Sequence, residues 1–350
     1  MSNQAVRGQI WHKGKPVDGF ELEKVSDCID DPDRLVWADL INPSHDTLTR
    51  LAEELSLNKW AVEDALAASE RVKATAYAKH TFVTVYAVAF DSPTATTGDE
   101  AVDAAAAEIR FERISMFIVH NALITVRLTE GGGDRGDSEY TEVFDMDEVQ
   151  RRWEEIGGQE YGVGALLHGL LDVVVDGHFD TVQQLDDAIE DLEELLFDEK
   201  VASRALQRRT YSLRKNLVAL RRVVLPMREV VSLVQRRRHD LGHSDALEPE
   251  FTDLYDHVLR VTEWTESLRD MVTTVFETNL SLQDARLNTV MKQLTAWAAI
   301  IAVPTAITGF YGQNVPFPGF EHTGGFITSV SLLVVSMTVL YLLFKRRDWL

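Results

Sequence analysis

The stretch Tyr311-Gly312-Gln313-Asn314, within GFYGQNVPFPGF (309–320), sets a glycine and two carboxamides between two long apolar runs. Carboxamide oxygens are neutral. A ring of them suits a hydrated divalent cation, because Mg²⁺ gives up its waters reluctantly and a carboxylate ring would compete for the inner shell. Gly312 lets a helix end without a side-chain clash. The carbonyls left at a helix's carboxyl end carry partial negative charge and favour cations. Pro316 and Pro318 stiffen the chain beyond. Taken alone, the tripeptide reads equally as an ordinary turn.

The two apolar runs position these residues. No Asp, Glu, Lys or Arg occurs from Gln293 to Phe320 or from His322 to Phe344. Residues 294–311 and 326–344 are each close to the roughly 20 apolar residues that a bilayer core requires. Lys292 precedes the first run, and Lys345, Arg346 and Arg347 follow the second. The connecting loop, 312–325, has no Lys or Arg. The positive-inside rule then puts both termini in the cytoplasm of a two-span protein of the cell membrane, with the loop outside. Within the first run, steps of three or four residues pass Asn288, Met291, Leu294, Ala298, Ala302, Thr305, Gly309 and Gly312. If several copies surround an axis, this face lines a channel, with Met291 and Leu294 as an apolar constriction that blocks ions by dewetting. The alternative is that small residues only let helices pack closely.

Upstream, residues 34–41, 79–90 and 107–128 are rich in β-branched and aromatic residues and predict strands. Helices are predicted over 45–56 and 58–68. Together these predict a cytoplasmic α+β domain, an α/β sandwich, over 1–164. Residues 165–248 predict an antiparallel helix pair with an acidic arm (184–200) and a basic arm (204–224). Residues 249–311 predict one long stalk helix that continues into the membrane. Its stripe Leu254, Val258, Val261, Leu268, Val272, Val275 and Leu282 is coiled-coil-like and calls for identical neighbours. Residues 345–350 form a basic tail.

The net charge of −21 belongs almost wholly to the part before Lys292. It keeps the body soluble and disfavours nucleic acid. Cys28, the only cysteine, excludes a disulfide framework and a Cys-based zinc site. GGGDRGDSE (131–139) lacks the Gly-Lys-Ser/Thr ending of a phosphate loop. No nucleophile–base constellation stands out, so an enzyme is not predicted. His168, Asp172 and Asp176 share a helical face and could hold Zn²⁺, but no further ligand is evident.

Tyr311-Gly312-Gln313-Asn314, together with FTDLYDHVLRVTEWTESLRDMV (251–272), VMKQLTAWAAI (290–300) and the basic end KRRDWL, resembles the CorA family of divalent-cation transporters. That resemblance implies a funnel-shaped homopentamer in membrane lipid that admits Mg²⁺, and often Co²⁺ or Ni²⁺. It implies an outer selectivity site at Gly312 and Asn314, and pore-facing positions at Asn288, Met291, Leu294 and Thr305. It also implies a cytoplasmic Mg²⁺ sensor joining Asp253 to an Asp at a strand end, for which Asp91 fits, and a basic collar at Lys345, Arg346 and Arg347. The family reads Met where this chain has Gln313. Its zinc-transporting branch also departs from that methionine, so a zinc transporter of the same fold is the first alternative. A non-conducting oligomeric membrane scaffold is the second.

Overall fold

The computed structural model describes residues 5–29, 31, 33–91, 108–128, 143–197, 203–237, 245–313, 316, 319–320 and 322–350. The chain divides into two compact units, Met1–Val275 and Phe276–Leu350.

The first unit is built on a seven-stranded sheet. Its strands are β1 (Ala5–His12), β2 (Lys15–Val17), β3 (Arg34–Ile41), β4 (Lys73–Ala76), β5 (Thr81–Asp91), β6 (Glu108–Val119) and β7 (Ala122–Leu128), in the order β2-β1-β3-β7-β6-β5-β4. Among the described strands, β3 and β7 pair in parallel and the other neighbours pair antiparallel. The strand predicted at 107–128 is a hairpin: Val119 pairs with Ala122 across a turn at His120-Asn121. Side chains alternate across the sheet. Val36, Ala38, Leu40, Ile124 and Val126 enter a core beneath α1 (Val25–Ile29), α2 (His45–Glu54) and α3 (Lys59–Leu66). Ser44 caps α2 by accepting from the Thr47 amide, and Asn58 caps α3 by accepting from that of Trp60. Each such cap stabilises by about 1 kcal/mol.

The sheet also packs against α5 (Gly158–Leu196), which follows α4 (Met146–Glu155) and touches β5, β6 and β7. His178 of α5 lies wholly inside, with Nε2 2.8 Å from the Tyr86 carbonyl oxygen. Burial pushes its pKa down to about 4, against a smaller upward pull from that carbonyl, so it packs as a neutral ring. α5 packs on α6 (Ser203–Val224). α7 (Met227–Arg236) contacts β4.

A fully buried ion triad lies in the middle of the sheet. The Arg127 guanidinium donates to Asp39 at 2.6 Å and to Glu112 at 2.9 Å, and the three side chains are no more than 2% exposed. Thr125 donates to Asp39, and Glu112 accepts from the amides of Val143 and Phe144. Burial opposes the Arg127 charge, but its bonds to Asp39 and Glu112 more than offset this and raise its pKa. Glu112 thereby fixes the backbone that leads into α4.

The helix α8 runs unbroken from Glu248 to Tyr311, and α9 spans Thr323–Arg346. Up to Val275 the α8 stripe is covered by its own chain. Leu254, Val258, Val261, Leu268, Val272 and Val275 are all at most 2% exposed. Identical neighbours are therefore not what buries this part, contrary to the sequence expectation. The coiled-coil-like spacing is the spacing of any helix that sheds one face into a core. Beyond it, Phe276, Leu280, Leu287, Met291 and Leu294 are exposed along the helix.

Candidate ion path and metal-binding cluster

Among the described residues, three helices are long and apolar enough to cross a membrane. The apolar window of α5 is 67% buried inside the first unit, which makes it a core helix. The window in α8 is 11% buried and that of α9 is 0% buried. Those two contain the runs read from the sequence.

Within the second unit α8 has two unlike faces. Ala296 is fully buried and Ile300 is 6% exposed. Pro304, Ile307 and Tyr311 continue that face and are half-buried. At about 100° per residue, the opposite face carries Asn288, Met291, Leu294, Ala298, Ala302, Thr305, Gly309 and Gly312. Every one of these is exposed. The Thr305 hydroxyl donates to the Ile301 carbonyl at 2.8 Å, and Thr308 donates to that of Thr305 at 3.0 Å. These hydroxyl protons are spent on the backbone, which leaves oxygen lone pairs along the helix surface.

At the end of α8 the Gly312 amide donates to Thr308 at 2.9 Å, and that of Gln313 to Phe310 at 3.3 Å. Gly312 is not left-handed. Its value here is space: a Cβ would lie 3.1 Å from the Thr308 carbonyl oxygen. Asn314 lies outside the described residues. After it, Gly319 takes φ 91°. A Cβ on Gly325 would strike the Gly319 carbonyl oxygen at 2.3 Å, so the turn into α9 needs glycine there. At the far end of α9, Lys345 lies 5.8 Å over the Tyr341 ring and Trp349 stacks on Phe344. Lys345 and Arg346 close the helix, and Arg347 caps it.

In the first unit, Asp172, Asp176 and His257 bring ligand atoms within 4.8 Å of one another. The two carboxylates lie one turn apart on α5, and His257 reaches them from α8. Asp253, one turn before His257, is largely exposed, with Oδ2 3.6 Å from His257 Nε2. The cluster already holds a cation: the Arg152 guanidinium of α4 donates to Asp172 and, at 2.6 Å, to Asp176. Burial works against that charge, but the bonds to Asp176 and Asp172 raise its pKa. A divalent ion fits these donors only by displacing Arg152. His168 is not part of the cluster. It is buried, with Nε2 3.1 Å from the Glu250 carbonyl oxygen and its ring edge-on to Phe251. Asp91 is the last residue of β5, with its backbone paired to Glu108. Its side chain lies outside the described residues.

An α/β unit, a helix with one open face of small and polar residues, and a second exposed apolar helix with a basic end define a membrane protein of the ion-transport class. The family described as CorA-like Mg²⁺ transporter protein matches residues 32–346. The chain belongs to this family, whose members are transporters of divalent cations and not enzymes. It is 28% identical over 306 residues to the cobalt/magnesium transport protein CorA of Thermotoga maritima, covering 87% of this chain and 80% of that one. It is 24% identical over 229 residues to the zinc transport protein ZntB of Yersinia enterocolitica, covering 65% and 68%. Its fold matches the complete structure of the CorA magnesium transporter of Methanocaldococcus jannaschii with a TM-score of 0.70 and 21% identity, covering 98% of both chains.

Proposed function

We propose that the chain is a homopentameric channel of the cell membrane that admits Mg²⁺, and with it Co²⁺ and Ni²⁺, and is gated by Mg²⁺ in the cytoplasm. The observation that carries this reading is the open face of α8. A face that runs from Asn288, Met291 and Leu294 into alanine, threonine and glycine, left uncovered by its own chain opposite a covered face, suits a water-filled axis between copies. Tyr311, Gly312, Gln313 and Asn314 form the outer mouth, where neutral oxygens hold the ion through its waters. Met291 and Leu294 form the apolar constriction. α8 and α9 span the membrane with both chain ends in the cytoplasm, and Lys345, Arg346 and Arg347 ring the inner end. The sensor joins Asp253 of one copy to Asp91 of the next. Bound Mg²⁺ screens their repulsion and holds the closed state, and its loss loosens the ring.

A zinc transporter of the same fold is the second reading. It is favoured by Gln313, where the chain departs from the methionine of the family pattern. Purified protein in liposomes, offered Mg²⁺ and Zn²⁺ together against a membrane potential, separates the two. The Mg²⁺ reading expects Mg²⁺ entry at a rate that equimolar Zn²⁺ does not abolish. Zn²⁺ entry without Mg²⁺ entry would replace it with the second reading, and entry of neither ion would favour a scaffold.

A further inference from the structure

The charges of the α5–α6 pair are sorted onto opposite outer edges. On α6 the positions facing away from the buried stripe are Arg208, Tyr211, Lys215, Val218 and Arg222, spaced by three and four residues and all exposed. Tyr211 is 72% exposed and Val218 40%. On α5 the corresponding outer positions are Asp180, Gln183, Asp187, Glu190 and Glu194, also all exposed. Exposed Phe197 ends that stripe. Lys215, Arg222, Asp180, Glu190 and Glu194 make no ion pair with another described residue, and Asp187 accepts only from Gln183 on its own helix. In a chain of net charge −21, α6 from Ser203 to Val224 holds no acidic residue. Two seams of opposite charge on one subunit, each with an exposed aromatic ring, fit a head-to-tail contact, in which one surface meets a different surface on the next copy.

We infer that the basic outer edge of α6 docks on the acidic outer edge of α5 in the neighbouring copy, so that the two arms form a belt around the ring. This rests on the oligomeric reading above. The register follows from one contact. Arg209 pairs with Asp191 at 3.3 Å within the chain, which fixes how the two antiparallel helices lie side by side. The docking takes the ring axis to run along these two helices; rotation about it then leaves every height unchanged, so the same levels hold between copies. Stepping outward from that pair, Arg208 falls level with Glu194, Tyr211 with Glu190, Lys215 with Asp187, Val218 with Gln183, and Arg222 with Asp180. Each opposed pair is oppositely charged or free of like charge. A shift of one helical turn would set Val218 against Asp187 and Lys215 against Glu190, leaving an apolar side chain facing a carboxylate.

The test uses the full chain in membranes, with two differently tagged versions co-expressed, one carrying Lys215→Cys and the other Asp187→Cys. The native Cys28 is 2% exposed and stays silent. A disulfide needs Cβ atoms about 3.5–4.5 Å apart. Mild oxidation is expected to give a mixed disulfide-linked dimer carrying both tags. Lys215→Cys co-expressed with Glu194→Cys, two turns out of register, is expected to give none. Absence of the mixed dimer, or equal cross-linking in the out-of-register combination, overturns the docking, while an oligomeric mass for the unaltered protein keeps the oligomer reading. A single-chain mass for the unaltered protein overturns both.

Discussion

Asn314→Ala is expected to abolish Mg²⁺ uptake by liposomes that hold the reconstituted protein, while the protein still assembles and folds. The open face of α8 ends at Gly312, and the helix leaves its last carbonyls pointing along its axis. Those carbonyls supply partial negative charge but no fixed oxygen in front of it. In the proposed channel Asn314 supplies that oxygen, one from each copy. A hydrated ion arriving at a ring of carboxamides trades bulk water for neutral acceptors, and methyl groups offer it nothing. Losing one well-placed polar contact typically costs about 1–3 kcal/mol. A ring repeats the loss in every copy, so flux falls below detection. Gln313→Ala is expected to act more weakly on rate and more visibly on the preference between Mg²⁺ and Zn²⁺. Wild-type uptake by the Asn314→Ala protein would remove this residue from the mechanism.

The second large effect concerns stability. Arg127→Met removes the cation that Asp39 and Glu112 share inside the sheet, where neither carboxylate is more than 2% exposed. Methionine fills much of the volume but leaves two buried carboxylates facing each other. Breaking a buried pair from one side costs about 3–5 kcal/mol, which is a large share of the stability of an ordinary domain. Pulse proteolysis of the detergent-solubilised chain in urea reads the change as a lower midpoint. Glu112 would also lose its hold on the amides of Val143 and Phe144, and the segment entering α4 would become an early cleavage site. A loss under about 1 kcal/mol would mean that solvent or protons reach the carboxylates despite their burial.

The parts of this fold legible in the sequence are those with a strong local signature. The charge-free runs and the strand at 34–41 each declare themselves by composition or period. What the sequence hides is tertiary. β1 reads poorly because Arg7, Gly8 and Gln9 interrupt its apolar residues, and it gains its place only by pairing with β3. The 107–128 segment conceals its turn because His120-Asn121 is short and flanked by apolar residues on both sides. The α8 stripe shows its period but not its partner, and its partner up to Val275 is the same chain. The Asp172–Asp176–His257 cluster is the least legible part. Asp172 and Asp176 are one turn apart, as are Asp253 and His257, and each pair is visible as spacing. Nothing local says that α8 brings His257 to α5, or that Arg152 arrives from α4 to neutralise the carboxylates.

Transport through this protein requires several copies to enclose the open face of α8. The most direct measurement is the mass of the purified protein in detergent by native mass spectrometry, with the bound detergent stripped in the gas phase. One chain has a mass of 39.4 kDa. A single species of five chains is expected. A protein that remains at the mass of one chain in mild detergents would leave Thr305 and Gly309 facing lipid, with no path for an ion between them.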